Sequence, residues 1–139
     1  MAAGRLVLAG CAFLAAVSAG CGASPVSPAQ QIDQTVVLAP GQTVSISGTA
    51  LHLGLVGVAS DSRCPADAMC VWPGEAIVTV RVTGGSAASQ DYRLSTREGA
   101  NSSAHDTFLI TLTSLDPYPF LSQPIRPDAY RATVRIASR

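Results

Sequence analysis

The sequence predicts an all-β domain: an antiparallel β-sandwich of about seven short strands, with a small barrel as the alternative way of closing the sheet. Three observations lead there. Apolar residues alternate with polar ones at period two, turn-forming residues recur every eight to twelve positions, and no stretch repeats convincingly at 3.6.

In chain order, Val36 to Leu38 and Val44 to Ile46 are short apolar runs on either side of Pro40-Gly41, so Leu38 to Val44 reads as a hairpin joining the first two strands, with a type II turn at Pro40-Gly41 in a wider loop as the alternative. Leu51, Leu53 and Leu55 form an inward set, with His52 on the opposite face. Ala76, Val78, Val80 and Val82 alternate with Glu75, Thr79, Arg81 and Thr83, a half-buried strand in which only Ile77 breaks the polar face. Tyr92 to Leu94 is a shorter candidate. Phe108, Ile110 and Leu112 stand against Thr107, Thr111 and Thr113, and the last strand sets Tyr130, Ala132, Val134 and Ile136 against Arg131, Thr133 and Arg135. Gly48, Pro73-Gly74, Gly84-Gly85, Gly99-Ala100-Asn101 and the proline-rich 117–127 stretch supply the turns.

Upstream of the sandwich the pattern changes. Arg5 gives a short positive region, Leu6 to Val17 an apolar run, and Ser18-Ala19-Gly20 a small-residue cleavage site, the layout of a secretory signal peptide. A dozen apolar residues fall short of the roughly 20 that a transmembrane helix needs. Because Cys21 follows the small residues directly, the segment resembles the lipobox of bacterial lipoproteins, with Ser18 where that family favours Leu. Leu8-Ala9-Gly10-Cys11 fits the consensus more closely but has almost no apolar segment before it. The resemblance implies a lipid-modified Cys21 and an anchor in a bacterial membrane facing the periplasm or exterior, since two or three acyl chains hold far more firmly than one. Gly22 to Gln31, broken by Pro25 and Pro28 and rich in small polar residues, reads as a tether. The expected division is therefore a signal peptide over 1–20, a lipidated N-terminus and tether over 21–32, and a sandwich over 33–139.

Without residues 1–20 the chain keeps 119 residues, long enough for one domain with a core, and sets nine carboxylates against eight arginines. That balance, with no basic patch, argues against a nucleic-acid partner. The lipobox resemblance leaves Cys64 and Cys70 as the remaining thiols in an oxidising compartment, and six residues of separation suit a disulfide. A zinc site would need two more ligands than these thiols provide.

The distinctive segment runs from Asp61 to Ala76: Asp-Ser-Arg-Cys-Pro, a gap, then Cys70-Val71-Trp72-Pro73-Gly74-Glu75-Ala76. It is similar to a motif, D-S-R-C-P followed by C-x-W-x-G-x-A, that recurs in small, poorly characterised bacterial secreted proteins and lipoproteins. That resemblance implies a β-rich extracytoplasmic domain and carries no established activity. Two readings of the segment stand side by side. In one, Trp72 covers the bridge or the open end of the core and Arg63 pairs with Asp61 or Glu75. In the other, Arg63, Asp67, Met69 and Trp72 form an exposed, preorganised recognition loop. Asp61, Asp67 and Glu75 also offer oxygen ligands for calcium, in a spacing that fits no EF-hand loop and with Arg63 opposing a cation, so no metal or other cofactor is expected.

No Gly-x-Ser-x-Gly elbow, His-Glu-x-x-His helix or glycine-rich phosphate loop occurs. His52 sits mid-strand, and His105-Asp106 reads as the solvated start of a strand whose adjacent side chains point to opposite faces. Asn101-Ser102-Ser103 reads as a loop, and Asp116 to Asp128, with four prolines, Tyr118 and Phe120, as a long connection over one edge of the sandwich. The expectation is a non-catalytic binding module of the cell envelope that uses the bridged loop or the proline-rich loop to hold an envelope protein, a peptide or a glycan. Its alternatives are a protease inhibitor that presents the bridged loop and a small hydrolase built on His52 or His105.

Overall fold

The alternation that marks each strand is the alternation of its burial. Ala76, Val78, Val80 and Val82 are all buried, as are Ala132, Val134 and Ile136 of the last strand, while the intervening residues face outward or lie at the margin. The computed structural model describes residues 30–139; the expected signal peptide, Cys21 and nearly all of the expected tether lie outside the described residues.

Eight strands form: β1 Asp33–Leu38, β2 Thr43–Ser45, β3 His52–Asp61, β4 Ala76–Thr83, β5 Gln90–Ser95, β6 Ser102–His105, β7 Phe108–Asp116 and β8 Arg131–Ser138. One 3-10 turn, Pro127–Ala129, precedes β8. They build two four-stranded antiparallel sheets, β1-β8-β7-β6 and β2-β3-β4-β5, which face each other as a sandwich and do not close into a barrel. After β1, the chain crosses to the second sheet, runs β2 to β5 as a meander, returns for β6 to β8, and pairs β8 with β1. Leu38, Ile110, Leu112, Val134 and Ile136 from one sheet meet Leu53, Leu55, Val78, Val80 and Leu94 from the other in a single core.

Four expectations change. β1 and β2 are not a hairpin, because Leu38 pairs with Ala132 and Val44 with Leu53. The Pro40-Gly41 turn instead carries the chain between sheets, held by Gly41 N–H donating to the Leu55 carbonyl at 2.7 Å. An eighth strand, β6, takes the Ser102–His105 stretch assigned to a loop and to the start of the next strand; His105 closes β6, and Asp106-Thr107 is the turn to Phe108. Asp106 has φ 55, a left-handed conformation that Asp tolerates in tight turns. Ile32, placed in the tether, is buried in the core and exchanges hydrogen bonds with Ser138.

Strand direction sorts the loops. Asp33 pairs with Ala137 and Leu38 with Ala132, so β1 starts at one end of the sandwich and finishes at the other. The connection β3–β4, which follows the Asp61 and Ala76 pair, and the connection β7–β8, which follows Asp116 and Arg131, both lie at the end where β1 finishes. Both β3 and β7 carry bulges on the way there, between Leu55 and Gly57, Val58 and Ser60, and Leu112 and Ser114. Bulges bend a strand and raise its twist.

Candidate functional site

The β3–β4 ladder continues into its loop before the loop opens. Ser62 N–H donates to the Glu75 carbonyl and Cys64 N–H to the Pro73 carbonyl, each at 2.8 Å. Gly74 permits this, since at φ 65 a Cβ there would stand 1.8 Å from the Ser62 carbonyl oxygen. Cys64 and Cys70 are disulfide-bonded with Cα atoms 5.9 Å apart, and a turn between Pro65 and Ala68 fills the ring they close.

Arg63 is the member of this segment that faces inward. It is 8 % exposed, so it does not belong to an exposed recognition set; the pairing with Asp61 is the one that forms. Its Nε and Nη2 donate to the two Asp61 oxygens at 2.8 and 2.7 Å, a planar fork matched to a carboxylate. Its remaining donors cross to the other sheet, Nη1 to the Leu115 carbonyl at 2.6 Å and Nη2 to the Pro117 carbonyl at 2.9 Å. The guanidinium carbon lies 5.1 Å from the centre of the Tyr118 ring. Burial alone would raise the Asp61 carboxyl, but the Arg63 side chain, its backbone N–H and its charge hold it below the usual carboxylate range. Tyr130 O–H also donates to Asp61, at 3.1 Å.

Two further bonds lock the loops to each other. Ala66 N–H donates to the Pro119 carbonyl at 2.9 Å, and Leu121 N–H to Asp67 Oδ1 at 2.8 Å. The bridged loop and the proline-rich loop, separate in sequence, are thus one rigid unit. Their outer surface is apolar. Met69 is fully exposed, Trp72 is 80 % exposed, and Val71, Tyr118, Phe120 and Leu121 join them, so two loops carry six of the nine large apolar side chains exposed among the described residues. Trp72 therefore covers neither the bridge nor the core, because Arg63 and Tyr118 already close that end of the sandwich. Phe120 and Leu121 are the contributors that sequence reasoning did not single out as a site with Trp72; only the register of β3 and β7 brings them together.

Beside this crown a cleft of about 640 Å³ opens between the sheets. The turn after β5 supplies Glu98 and Asn101, β7 supplies Leu112 to Asp116, and Tyr118 and Arg63 form its inner wall. Of the arginines nearby, Arg63 pairs with Asp61, Arg97 with Glu75 and Arg126 with Asp128, while Arg131, across the ladder from Asp116, bonds the Asp128 and Tyr130 carbonyls; Glu98 and Asp116 have no ion-pair partner among the described residues.

The calcium alternative does not assemble. Asp61 serves Arg63 and Tyr130, Asp67 serves Leu121, and Glu75 accepts from Ser95 Oγ. Among the described residues, no three His, Cys, Asp or Glu side chains gather where an ion would sit. Nor do His105 and Asp106 act together. His105 is buried, with Nδ1 2.9 Å from Tyr92 O–H and Nε2 without a protein partner, while Asp106 bonds Ser86. His52 is exposed and shares a 3.0 Å bond with Ser45 Oγ across β2 and β3, with no described carboxylate orienting its other nitrogen.

Comparison of the chain with known protein families, curated proteins and solved structures returns no match to any of them.

Proposed function

We propose that this protein is a lipid-anchored lipoprotein of the bacterial cell envelope, held through Cys21, whose sandwich acts as a non-catalytic binding module. The observation that carries the reading is the crown: six large apolar side chains on two loops fastened together by a disulfide, a buried guanidinium and two interloop hydrogen bonds. Exposed apolar clusters of this kind are costly to solubility and mark interaction surfaces. Trp, Tyr, Phe and Met are also the residues enriched at interface centres. Rigidity adds to the case, because loops already fixed lose little entropy on binding.

The topology supports an outward-facing module. The tether joins at the start of β1, and the crown lies at the other end of the sandwich.

A second reading rests on Met69 alone. A fully exposed side chain on a small disulfide ring suits insertion into a protease cleft.

One experiment separates these ideas. A photo-crosslinking residue is placed at position 71 or 120 in the crown, or at position 85 at the far end, in cells making the full chain, and intact mass reports acylation at Cys21. A discrete adduct from the crown positions alone, on an acylated protein, supports the proposal. Adducts with a peptidase favour inhibition, and equal labelling from all three positions or an unmodified Cys21 defeats the corresponding half of the reading.

A further inference from the structure

We infer that the crown and its cleft form a docking site for a polypeptide segment that combines apolar side chains with lysine or arginine. This rests on the reading of the loop end as a binding surface and names what that surface takes.

Charge complementarity carries the argument. Within the Cys64–Cys70 ring of the bridged loop the one carboxylate, Asp67, is engaged by the Leu121 N–H, and on the proline-rich loop the one basic residue, Arg126, is paired with Asp128. The cleft beside the crown is lined by Glu98 and Asp116, neither of which has an ion-pair partner among the described residues; Arg63, Arg97 and Arg126 pair with other carboxylates, and Arg131, across the ladder from Asp116, spends its Nη1 on the Asp128 and Tyr130 carbonyls. A ligand that was only apolar would cover the crown and leave these two carboxylates at its edge without a counter-charge. A ligand bearing a cation one or two residues from an apolar side chain satisfies both surfaces together. Tyr118 lines the cleft and Trp72 stands beside the lining residues Pro73 and Gly74, so aromatic faces flank the path a lysine or arginine would take.

The same charges disfavour a bilayer as occupant. Bacterial membrane surfaces are negative, and Glu98, Asp116 and Asp67 would approach them with like charge. The chain enters β1 at the end of the sandwich opposite the crown. Polypeptide is also favoured over glycan by the crown's composition, since its exposed surface is led by six large apolar side chains, which offer little to sugar hydroxyls.

Trp72 is the only tryptophan in the chain, so 5-fluorotryptophan labelling puts a single fluorine resonance on the site. The labelled full chain, carried in nanodiscs of zwitterionic lipid, is titrated with an alternating lysine–leucine peptide, with its glutamine-for-lysine and glutamate-for-lysine counterparts, with chitotetraose, and with anionic vesicles. The expected result is a saturable shift with the lysine–leucine peptide, about tenfold weaker with the glutamine peptide and weaker still with the glutamate one. In the double variant Glu98→Gln, Asp116→Asn, that preference for lysine is expected to disappear while the apolar contribution stays. Both positions are exposed at the surface, and an unchanged urea midpoint of the free variant serves as the check on folding. Equal binding of lysine and glutamine peptides, or a double variant with an unchanged preference, overturns the inference and leaves the crown as a binding surface. A response to chitotetraose or vesicles alone also overturns it and reassigns the occupant. No response to any probe overturns it too, and together with absent crown-specific crosslinks removes the binding reading as well.

Discussion

Arg63 grips Asp61, two positions earlier on the same strand end, with a two-pronged bond of 2.8 and 2.7 Å, and uses what is left of its guanidinium to hold the Leu115 and Pro117 carbonyls of the opposite sheet. One side chain therefore joins β3 to β7 at the end where the bridged and proline-rich loops begin. Every donor of this buried cation that points at protein has an acceptor, the condition under which a charge is tolerated inside a fold.

Removing either partner should be expensive. Asp61→Ala leaves the guanidinium buried without its carboxylate, at a cost of about 3–5 kcal/mol. Arg63→Lys keeps the charge but loses the fork and the two carbonyl contacts, and should cost about 2 kcal/mol. Urea midpoints at pH 7 test both. Losses below about 1 kcal/mol would mean the pair behaves like an exposed one.

Acid should weaken the fold through the same pair. Folding lowers the Asp61 pKa, so the pair's contribution is complete above the unfolded-state value of about 3.9 and is lost as pH falls through the lower folded value. Asp33 and Asp91, lowered by hydrogen bonds from Arg135 and Arg81, act in the same direction, but both are exposed and screened by salt. Urea midpoints in high salt from pH 7 down to pH 3 should fall in the wild type, with a distinctly flatter acid limb in Asp61→Asn.

The Cys64–Cys70 bridge should matter more for the loop than for the fold. A ring this small contributes about 2 kcal/mol by chain entropy. The double variant Cys64→Ser, Cys70→Ser should keep its β circular dichroism while cleavage near Met69 by a broad-specificity protease rises sharply. Global unfolding of that variant at room temperature would contradict the assignment.

His105 offers a test of polar burial. His105→Phe removes the partnerless Nε2 but also the Nδ1 bond to Tyr92, whose half-buried O–H keeps Gln90 as a partner, so the two effects oppose each other and stability should change by less than about 1 kcal/mol. Tyr92→Phe, by contrast, takes away the bond to Nδ1 and should cost about 1–2 kcal/mol. Thermal or urea unfolding of the two singles and the double completes the cycle.

Gly74 and Trp72 should separate folding from recognition. Gly74→Ala forces a Cβ into the Ser62 carbonyl and should break the Cys64 to Pro73 bond, visible as lost amide protection at Cys64. Trp72→Ser lies on the exposed crown and should alter stability by no more than about 0.5 kcal/mol. Binding, not melting, is where the second variant should fail.

Much of the sandwich was legible because its strands bury alternate residues. Ala76 to Val82 and Tyr130 to Ile136 announce both their conformation and their inner face, and His52 falls on the outer side as its neighbours require. β6 was illegible for the converse reason: Ser102, Ser103 and Ala104 offer no apolar period, and its one fully inward residue is a histidine. The supposed β1–β2 hairpin failed because pairing between strands depends on which sheet a turn leads to, and Pro40-Gly41 is compatible with either course. At the site, the Asp61-x-Arg63 spacing carried the correct ion pair. Trp72 misled because a tryptophan beside a disulfide commonly packs on it, and here Tyr118, arriving from a distant strand, lies against Arg63 at that end instead. Long-range register is what no local pattern contains.

The pairing of the first strand with the last has a mechanical side. Ile32 and Ser138 are stitched together, Arg135 forks onto Asp33 at 2.8 and 2.6 Å, and six residue pairs follow along β1 and β8. A pull from the tether, opposed by a load on the far loops, would run along the strand axes. Antiparallel ladder bonds lie across that axis. They would be strained in shear and all at once, not peeled open one after another, so the pairing of β1 with β8 resists tension applied between the two ends of the domain.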